Sequence, residues 1–441
     1  MLKLKILFWT VCVALSQPSL SSAAEITVAC GPSGTDVSYC FKYAQEWAKK
    51  TGNTVRNFSP PSSVPDKLAL YRQLFAAKSS DIDVMQIDLV WPGLLKDHLI
   101  DLSAYTRGEE NLHFKGLIEG NTVNGKLLAL PWYTDAGVFY YRKDLLTQYQ
   151  QVVPKTWKEL SEIAKRIQTA ERSRGNTDFH GFMFQGKADE GLTCHAMEWI
   201  AGSNGGQVLN EHGDITVNNH AAAAALDMAA RWIGDISPLG VLNHEPEDSR
   251  GVFQSGNALF MRNWPYAWAL MQKNDSPVKD KVGIAPMPGL QAAGGRSAVG
   301  GGIAPMPGLQ AAGGRSAVGG WQLGVSRYSK HADLAADLVL YMTSATVQRE
   351  RAIQGAFNPT RPALYADKEV IAANPHMPAL QTIIAKGVNR PSIQTGLKYP
   401  QVSQSLWYAA HDVLSGRMNG EEAVARLEKR LQRIRRKAWT H

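Results

Sequence analysis

The sequence predicts an α/β fold with two lobes, and three features support that prediction. The chain has 441 residues, more than one hydrophobic core usually organises. Short β-rich segments alternate with amphipathic helical segments along its length, as in sheets that carry helices on both faces. No long linker separates the halves, so we expect the chain to cross between the lobes several times.

Residues 1–24 have the three parts of a cleaved secretory signal. Lys3 and Lys5 precede an apolar run over 6–15, and small residues occupy 22–24. The apolar run is too short to span a bilayer, and no later stretch reaches ~20 apolar residues. Thr27–Cys30 matches the small-residue box of a lipid-anchored protein only weakly. We therefore expect a soluble mature chain outside the cytoplasm.

The region after the signal alternates between strands and helices. The predicted strands are 25–30, 53–58 and 82–87 with 89–91, and the predicted helices are 37–48 and 68–77. This order implies a largely parallel sheet, and such sheets bind ligands beyond the carboxyl ends of their strands. Asp36 and Asp88 fall at these ends.

The segment 130–146, LPWYTDAGVFYYRKDLL, combines aromatic side chains with a carboxylate. Trp132 and Tyr133 offer flat apolar faces, and Asp135 offers two acceptor oxygens beside them. A sugar ring needs both, because its C–H faces pack on aromatic rings and its hydroxyls donate to carboxylates. The same aromatics are also typical of core and strand positions.

A second alternating region runs from a helix start at 154–157 to about Lys281. Its predicted features, with those that follow it, are a helix at 221–233, the aromatic cluster NWPYAW at 263–268, a strand at 322–325 and a long helix at about 332–355. Helical segments continue to the end of the chain.

The net charge of +8 falls to about +6 after signal removal, because Lys3 and Lys5 leave. Many of the remaining cations lie between 426 and 437, where a nucleic-acid site could be suspected. However, Val424, Leu427, Leu431 and Ile434 recur at helical spacing, so the cations form the solvated face of an amphipathic helix.

Three cysteines remain after the signal, which removes Cys12. Cys30 and Cys40 flank a short loop, and an oxidising compartment would allow them to pair, so we expect a disulfide between them. Cys194 is then unpaired and expected to be buried.

Residues 283–301, GIAPMPGLQAAGGRSAVGG, are repeated without change as residues 302–320. Two copies cannot form a solenoid, and their glycines and prolines are typical of loops. Doubling a loop costs only about 0.6 kcal/mol of closure entropy, so folding should survive. We expect one copy to supply the native strand pairing while much of the other bulges outward.

Motifs for nucleotide binding and acyl transfer are absent from the sequence. It has no Walker loop, no dinucleotide glycine fingerprint and no Gly-x-Ser-x-Gly elbow. Cys194-His195 lacks further ligands at metal spacing, so we expect neither a metal site nor a cofactor. Asp36, Asp88 and Asp135 could pair as in a glycoside hydrolase, which remains an alternative.

Several motifs taken together resemble one family. They are the signal, DVMQIDLVWPG, LPWYTDAGVFYYRKDLL, RNWPYAW, GGWQLGVS and SLWYAAHDVLSGR. Their order over the whole mature chain is similar to that of the extracellular solute-binding proteins of bacterial sugar ABC importers, with the nearest likeness to the trehalose/maltose-binding branch. The resemblance implies a periplasmic-binding-protein fold whose two α/β lobes are joined by several hinge crossings and close on a sugar.

The resemblance also implies the lobe boundaries and the partners. The N-terminal lobe would comprise 25–133 and 284–343, and the C-terminal lobe 134–283 and 344–441. A monomer would bind a disaccharide, without catalysis and without nucleic acid, and deliver it to permease subunits in the inner membrane. Besides the hydrolase, a receptor for a non-sugar solute remains an alternative.

The site residues implied by the resemblance divide into aromatic plates and polar groups. The plates are Tyr133, Trp264, Tyr266, Trp321 and Trp407, and the polar groups are Asp36, Lys67, Asp88, Asp135, Gly319, Gly320 and Arg390. Asp36 stands where the branch tends to have Glu, and Lys67 where Arg is expected. Since Lys lacks the bidentate fork of Arg, the identity of the sugar stays open.

Overall fold

The computed structural model describes residues 23–31, 34–290 and 314–439, and it places them in two α/β lobes. A five-stranded sheet lies in the first lobe and a four-stranded sheet in the second. The predicted signal lies outside the described residues except for its last two positions. No helix within the described ranges is long and apolar enough to cross a membrane.

The strands are β1 (Glu25–Ala29), β2 (Thr54–Phe58), β3 (Val84–Asp88), β4 (Thr122–Val123), β5 (Lys126–Leu127), β6 (Leu130–Ala136), β7 (Val138–Arg142), β8 (His180–Met183), β9 (Ala258–Asn263), β10 (Val282–Ala285) and β11 (Val318–Val325). The helices are α1 (Gly34–Thr51), α2 (Val64–Ala76), α3 (Pro92–Leu95), α4 (Ser103–Thr106), α5 (Lys115–Asn121), α6 (Lys143–Gln148), α7 (Trp157–Ser173), α8 (Glu190–Gly202), α9 (His220–Ala230), α10 (Pro246–Gln254), α11 (Ala267–Met271), α12 (Ala332–Met342), α13 (Ala345–Gly355), α14 (Lys368–Ala373), α15 (Met377–Ala385), α16 (Ser392–Thr395), α17 (Tyr399–Leu414) and α18 (Gly420–Arg435).

The first sheet has the strand order β2-β1-β3-β11-β6. Strands β1, β2 and β3 are parallel, as the sequence predicted, but β11 runs antiparallel to both of its neighbours, so the sheet is mixed. The register pairs Trp321 of β11 with Asp88 on one side and Tyr133 on the other. Three candidate site residues thus lie side by side on adjacent strands.

The second sheet has the order β10-β7-β9-β8 and is packed by the larger of the hydrophobic cores. Helix α7 begins where the sequence predicted, because Thr156 and Glu159 form a reciprocal capping box. At the C-terminus, α18 buries Val424, Leu427 and Leu431, which confirms the amphipathic helix.

Two predicted elements differ in the structure. Residues 89–91 do not continue a strand, because the Asp88 carboxylate accepts a hydrogen bond from the Val90 N–H at 3.1 Å and turns the chain. The long helix predicted over 332–355 divides into α12 and α13. The Ser344 side chain accepts from the Val347 N–H and caps α13 as a separate helix.

The duplicated sequence contributes to both sheets. The first copy supplies Gly283–Ala285 of β10, and the second supplies Val318–Gly320 of β11. The expectation that one copy supplies the strand pairing is therefore wrong. The residues that flank the duplication explain why each copy joins a different sheet. Val282, just before the first copy, pairs with β7, and Trp321, just after the second copy, pairs with β3 and β6. The expected outward bulge concerns 291–313, outside the described residues.

The lobe boundaries implied by the resemblance fall inside strands. The 283/284 boundary divides β10, whose four residues all pair with β7 of the second sheet. The 133/134 boundary divides β6, which pairs with β11 up to Ala136. Strand membership therefore assigns 284–285 to the second lobe and 134–136 to the first.

Candidate ligand-binding cleft

One cavity of about 170 Å³ lies between the lobes and is lined by side chains from both. At the volume that a water molecule takes in the liquid, this space corresponds to about six waters. Ten of the twelve predicted ligand-binding residues line it: Asp36, Asp88, Tyr133, Asp135, Trp264, Tyr266, Gly319, Gly320, Trp321 and Arg390. The structure thus brings most of the predicted set together in one cleft.

The cleft has two walls. The first wall belongs to the first lobe and consists of Asp36, Asp88, Tyr133, Asp135, Gly319, Gly320 and Trp321. The second wall belongs to the second lobe and consists of Asp189, Glu190, Glu245, Glu247, Trp264 and Tyr266. Arg390 lies between the walls and pairs with both.

The two other predicted residues, Lys67 and Trp407, do not line the cavity. Lys67 of α2 is fully buried, and its Nζ lies 4.2 Å from the centroid of the Trp321 ring. No described atom accepts a hydrogen bond from this ammonium, and burial lowers its pKa to about 7. Trp407 of α17 packs in the core of the second lobe. Their spacing in the sequence could not reveal that neither side chain lines the cavity.

The aromatic side chains of the cleft are held in place by their neighbours. Trp321 meets the edge of Trp91 at 5.9 Å between ring centroids. Trp264 packs against Gly319, where an added Cβ would lie 2.8 Å from the ring, so a larger residue would displace it. Gly320 has φ of 136°, a conformation that favours glycine. Tyr133, Trp264 and Trp321 therefore converge on a shared space.

Asp36 is already engaged by protein donors. Its carboxylate accepts from Gln86 Nε2 at 2.6 Å and from the Tyr133 hydroxyl at 3.3 Å. Arg351 donates to it at 3.3 Å while its guanidinium lies 3.4 Å from the Trp132 ring centroid. Trp132 is fully buried and donates to Asp36 from its indole, so this aromatic of the 130–146 segment is a core residue.

Asp88, Arg390 and Glu190 form a charge bridge between the two walls. The Arg390 guanidinium donates to Asp88 at 2.6 and 3.1 Å and to Glu190 at 2.8 Å. Glu190 also accepts from Ser403 at 2.7 Å and from the Tyr399 hydroxyl. Because these groups bond to one another, the bridge holds the two walls together in this conformation. It leaves few of its donor and acceptor atoms free to bind a ligand.

Asp135 differs from the other carboxylates of the first wall. It is 6% exposed, and within the described ranges its one hydrogen-bond donor is Asn358, at 3.5 Å. Burial raises the pKa of this carboxyl well above its usual range, and the nearby charge of Asp36 adds to the effect. Asp135 therefore presents an acceptor to the cleft that the protein leaves largely unused.

The sequence interpretation missed the carboxylates of the second wall. Asp189 caps α8 and Glu245 caps α10, and Glu190 and Glu247 follow within the first turns. Glu247 accepts from the Tyr266 hydroxyl at 2.6 Å, which fixes that ring beside the cavity. The motifs DEG and EPE just before helical stretches are the signal that could have indicated these helix starts.

The cysteines behave as the sequence predicted. Cys30 and Cys40 form a disulfide, and Cys194 is a buried free thiol whose pKa burial raises to about 12. In the part of the chain that the structure describes, no cluster of three His, Cys, Asp or Glu side chains is arranged to hold a metal ion.

Comparison with known proteins identifies a family and two relatives that each match most of the chain. Residues 31–349 match the profile of the bacterial extracellular solute-binding proteins. A probable ABC transporter-binding protein of Deinococcus radiodurans is 44% identical over 429 residues, which cover 97% of each chain. A mannitol-binding protein of Pseudomonas aeruginosa is 22% identical over 73% of this chain and 72% of its own length.

Solved structures show the same architecture. The maltose-bound MalE3 protein of T. maritima superposes with a TM-score of 0.83 at 34% identity, covering 93% of this chain and all of the other. The GacH receptor of Streptomyces glaucescens shares the fold, with a TM-score of 0.78 at 21% identity over 94% of this chain and 99% of its own. The chain belongs to the bacterial extracellular solute-binding protein family.

Proposed function

We propose that this protein is the periplasmic sugar-binding component of an ABC importer. It binds a disaccharide of the trehalose, maltose or sucrose type between its lobes and delivers it to permease subunits in the inner membrane. The observation that carries the proposal is the convergence of Tyr133, Trp264 and Trp321 with Asp135 on one cavity. The 34% identity to a maltose-bound protein supports the same class of ligand.

The two walls explain how binding would favour closure. A sugar ring packed on Trp321 of the first wall reaches Trp264 of the second only when the lobes are together. A ligand shifts a conformational equilibrium by the difference between its affinities for the two states. A sugar that contacts both walls only in the closed form therefore stabilises that form.

Titration calorimetry against trehalose, maltose, sucrose and mannitol tests the proposal. We expect one disaccharide to bind with higher affinity than mannitol, and to be recovered intact after prolonged incubation. Asp135→Ala should weaken that binding tenfold or more, because a sugar hydroxyl loses a charged acceptor. As a control, Asp275→Ala removes an exposed carboxylate of the second lobe and should leave the affinity unchanged.

Absence of binding to all three disaccharides contradicts the proposed ligand class. Tight binding of mannitol alone would assign a polyol instead. Release of glucose from maltose or trehalose would contradict a transport role without catalysis.

A further inference from the structure

The charges around the cleft are unbalanced. Seven carboxylates line the cavity, whereas Arg390 is the one Lys or Arg that lines it within the described ranges. Five of the seven have a cationic partner. Asp36 pairs with Arg351, Asp88 and Glu190 pair with Arg390, Glu245 pairs with Lys187, and Glu247 pairs with Arg250.

The remaining two carboxylates, Asp135 and Asp189, have no Lys, Arg or His nitrogen within 4.0 Å in the described part of the chain. Asp189 accepts from the Gly191 N–H at 2.7 Å and stays partly exposed to the cleft. Asp135 is more than nine-tenths buried and receives only the 3.5 Å contact from Asn358. A carboxylate buried without a counter-charge is costly, and a bound cation would remove that cost.

The burial of Asp135 is consistent with such a role. Its surroundings raise the pKa of the carboxyl, because desolvation and the charge of Asp36 outweigh the opposing charges of Arg351 and Arg262. An ammonium group placed beside it would oppose both effects. The aromatic rings of Tyr133, Trp264 and Trp321 in the same cavity would still accept the C–H faces of a sugar.

We propose that the cleft prefers saccharides that carry a protonated amine, with the ammonium group facing Asp135, over neutral saccharides of the same shape. This inference rests on the proposed sugar-binding function and narrows its ligand class. Sugars with a carboxylate or phosphate are disfavoured, since they would add a negative charge beside two uncompensated ones.

Calorimetry with matched ligands near pH 7, where such amines are mostly protonated, tests the inference. The probes are trehalose and maltose, with their mono-amino-deoxy analogues that carry the amine at different ring carbons. We expect at least one amine isomer to bind about tenfold tighter than its neutral parent, because a charge-assisted hydrogen bond is roughly twice as strong as a neutral one.

Two variants locate the effect. Asp135→Asn keeps the shape of the side chain and should remove the preference for the amine. Asp275→Asn makes the same change of charge at an exposed position and should keep the preference. The inference is overturned if no amine isomer binds tighter than its parent, or if the preference persists in Asp135→Asn. Failure of the neutral parents to bind would instead count against the proposed function, so the two failures are distinguishable.

Discussion

The two walls of the cleft are built in different ways. In the first wall, Asp88 ends β3, and Tyr133, Asp135 and Trp321 lie on adjacent strands of one sheet. In the second wall, the carboxylates lie at the starts of α8 and α10. Sheet register fixes the first wall, whereas the packing of two separate helices fixes the second. The comparison teaches that one wall follows from strand order and the other only from tertiary structure.

The bridge through Arg390 connects the two walls, and removing it should have the largest effect on stability. Arg390→Ala leaves the buried carboxylates of Asp88 and Glu190 without their cation, so we expect the free energy of unfolding to fall by about 3–5 kcal/mol. Chemical denaturation measures the change.

Arg417→Ala is the matched control for that variant. It removes a guanidinium that is 58% exposed and pairs with Asp412 at 2.8 Å, so the loss should stay below about 1 kcal/mol. Equal losses in the two variants would show that the bridge between the walls has no special role.

Lys67, which packs on Trp321 of the first wall, gives stability a pH dependence above pH 7. In the second wall, burial raises the pKa of Asp189 to about 6, so the pH dependence of that wall lies in the acidic range. The pKa of Lys67 is lowered from 10.5 to about 7 by burial. Between these values the unfolded chain keeps a proton that the folded chain has released, so stability should rise with pH across this window. Below about pH 7 both states are protonated and this contribution is constant.

Lys67→Met keeps the length of the side chain and removes the titrating group. We expect it to abolish that part of the rise, which amounts to about 4–5 kcal/mol because each unit of pKa shift corresponds to about 1.4 kcal/mol. Denaturation at several pH values tests this, with the exposed Lys330→Met as control. An unchanged slope in Lys67→Met would place the titration on another group.

Trp321 lines the cavity, whereas Trp407 was predicted to contact the sugar but lies in the core of the second lobe. Trp321 should therefore matter more for binding than Trp407. Trp321→Ala removes an aromatic face of the first wall, and we expect maltose affinity to fall tenfold or more, about 1.4 kcal/mol. Trp407→Phe changes a core residue of the second lobe and should leave affinity within about twofold. Calorimetry measures both affinities. Similar affinities in the two variants would contradict the assignment of Trp321 to the cleft and of Trp407 to the core.

The smallest effect on stability and affinity is expected from deleting one copy of the duplicated sequence. Deleting either 19-residue copy produces the same chain, in which Gly283–Ala285 of β10 and Gly319–Trp321 of the first wall keep their sequences. Because halving a loop changes closure entropy by only about 0.6 kcal/mol, stability and affinity should change little. Loss of binding in this deletion would show that the second copy does more than extend the connection.

Sequence patterns predicted the first wall better than the second. Alternating strands and helices placed Asp88 at a strand end, and the family resemblance placed Tyr133 and Trp321 in the binding site, where both line the cavity. Asp189 and Glu245 carry no such periodic signal, since an acidic helix cap is common on any surface. The burial of Lys67 behind Trp321 depends on how α2 packs against β11, which local sequence does not encode.

A crystal structure of the protein with maltose or trehalose tests the central claim most directly. We predict that the sugar lies between the two walls, in contact with Trp264 and Trp321, with a hydroxyl within hydrogen-bond distance of Asp135. A sugar bound outside this cleft, or within it but touching neither tryptophan, would contradict the account.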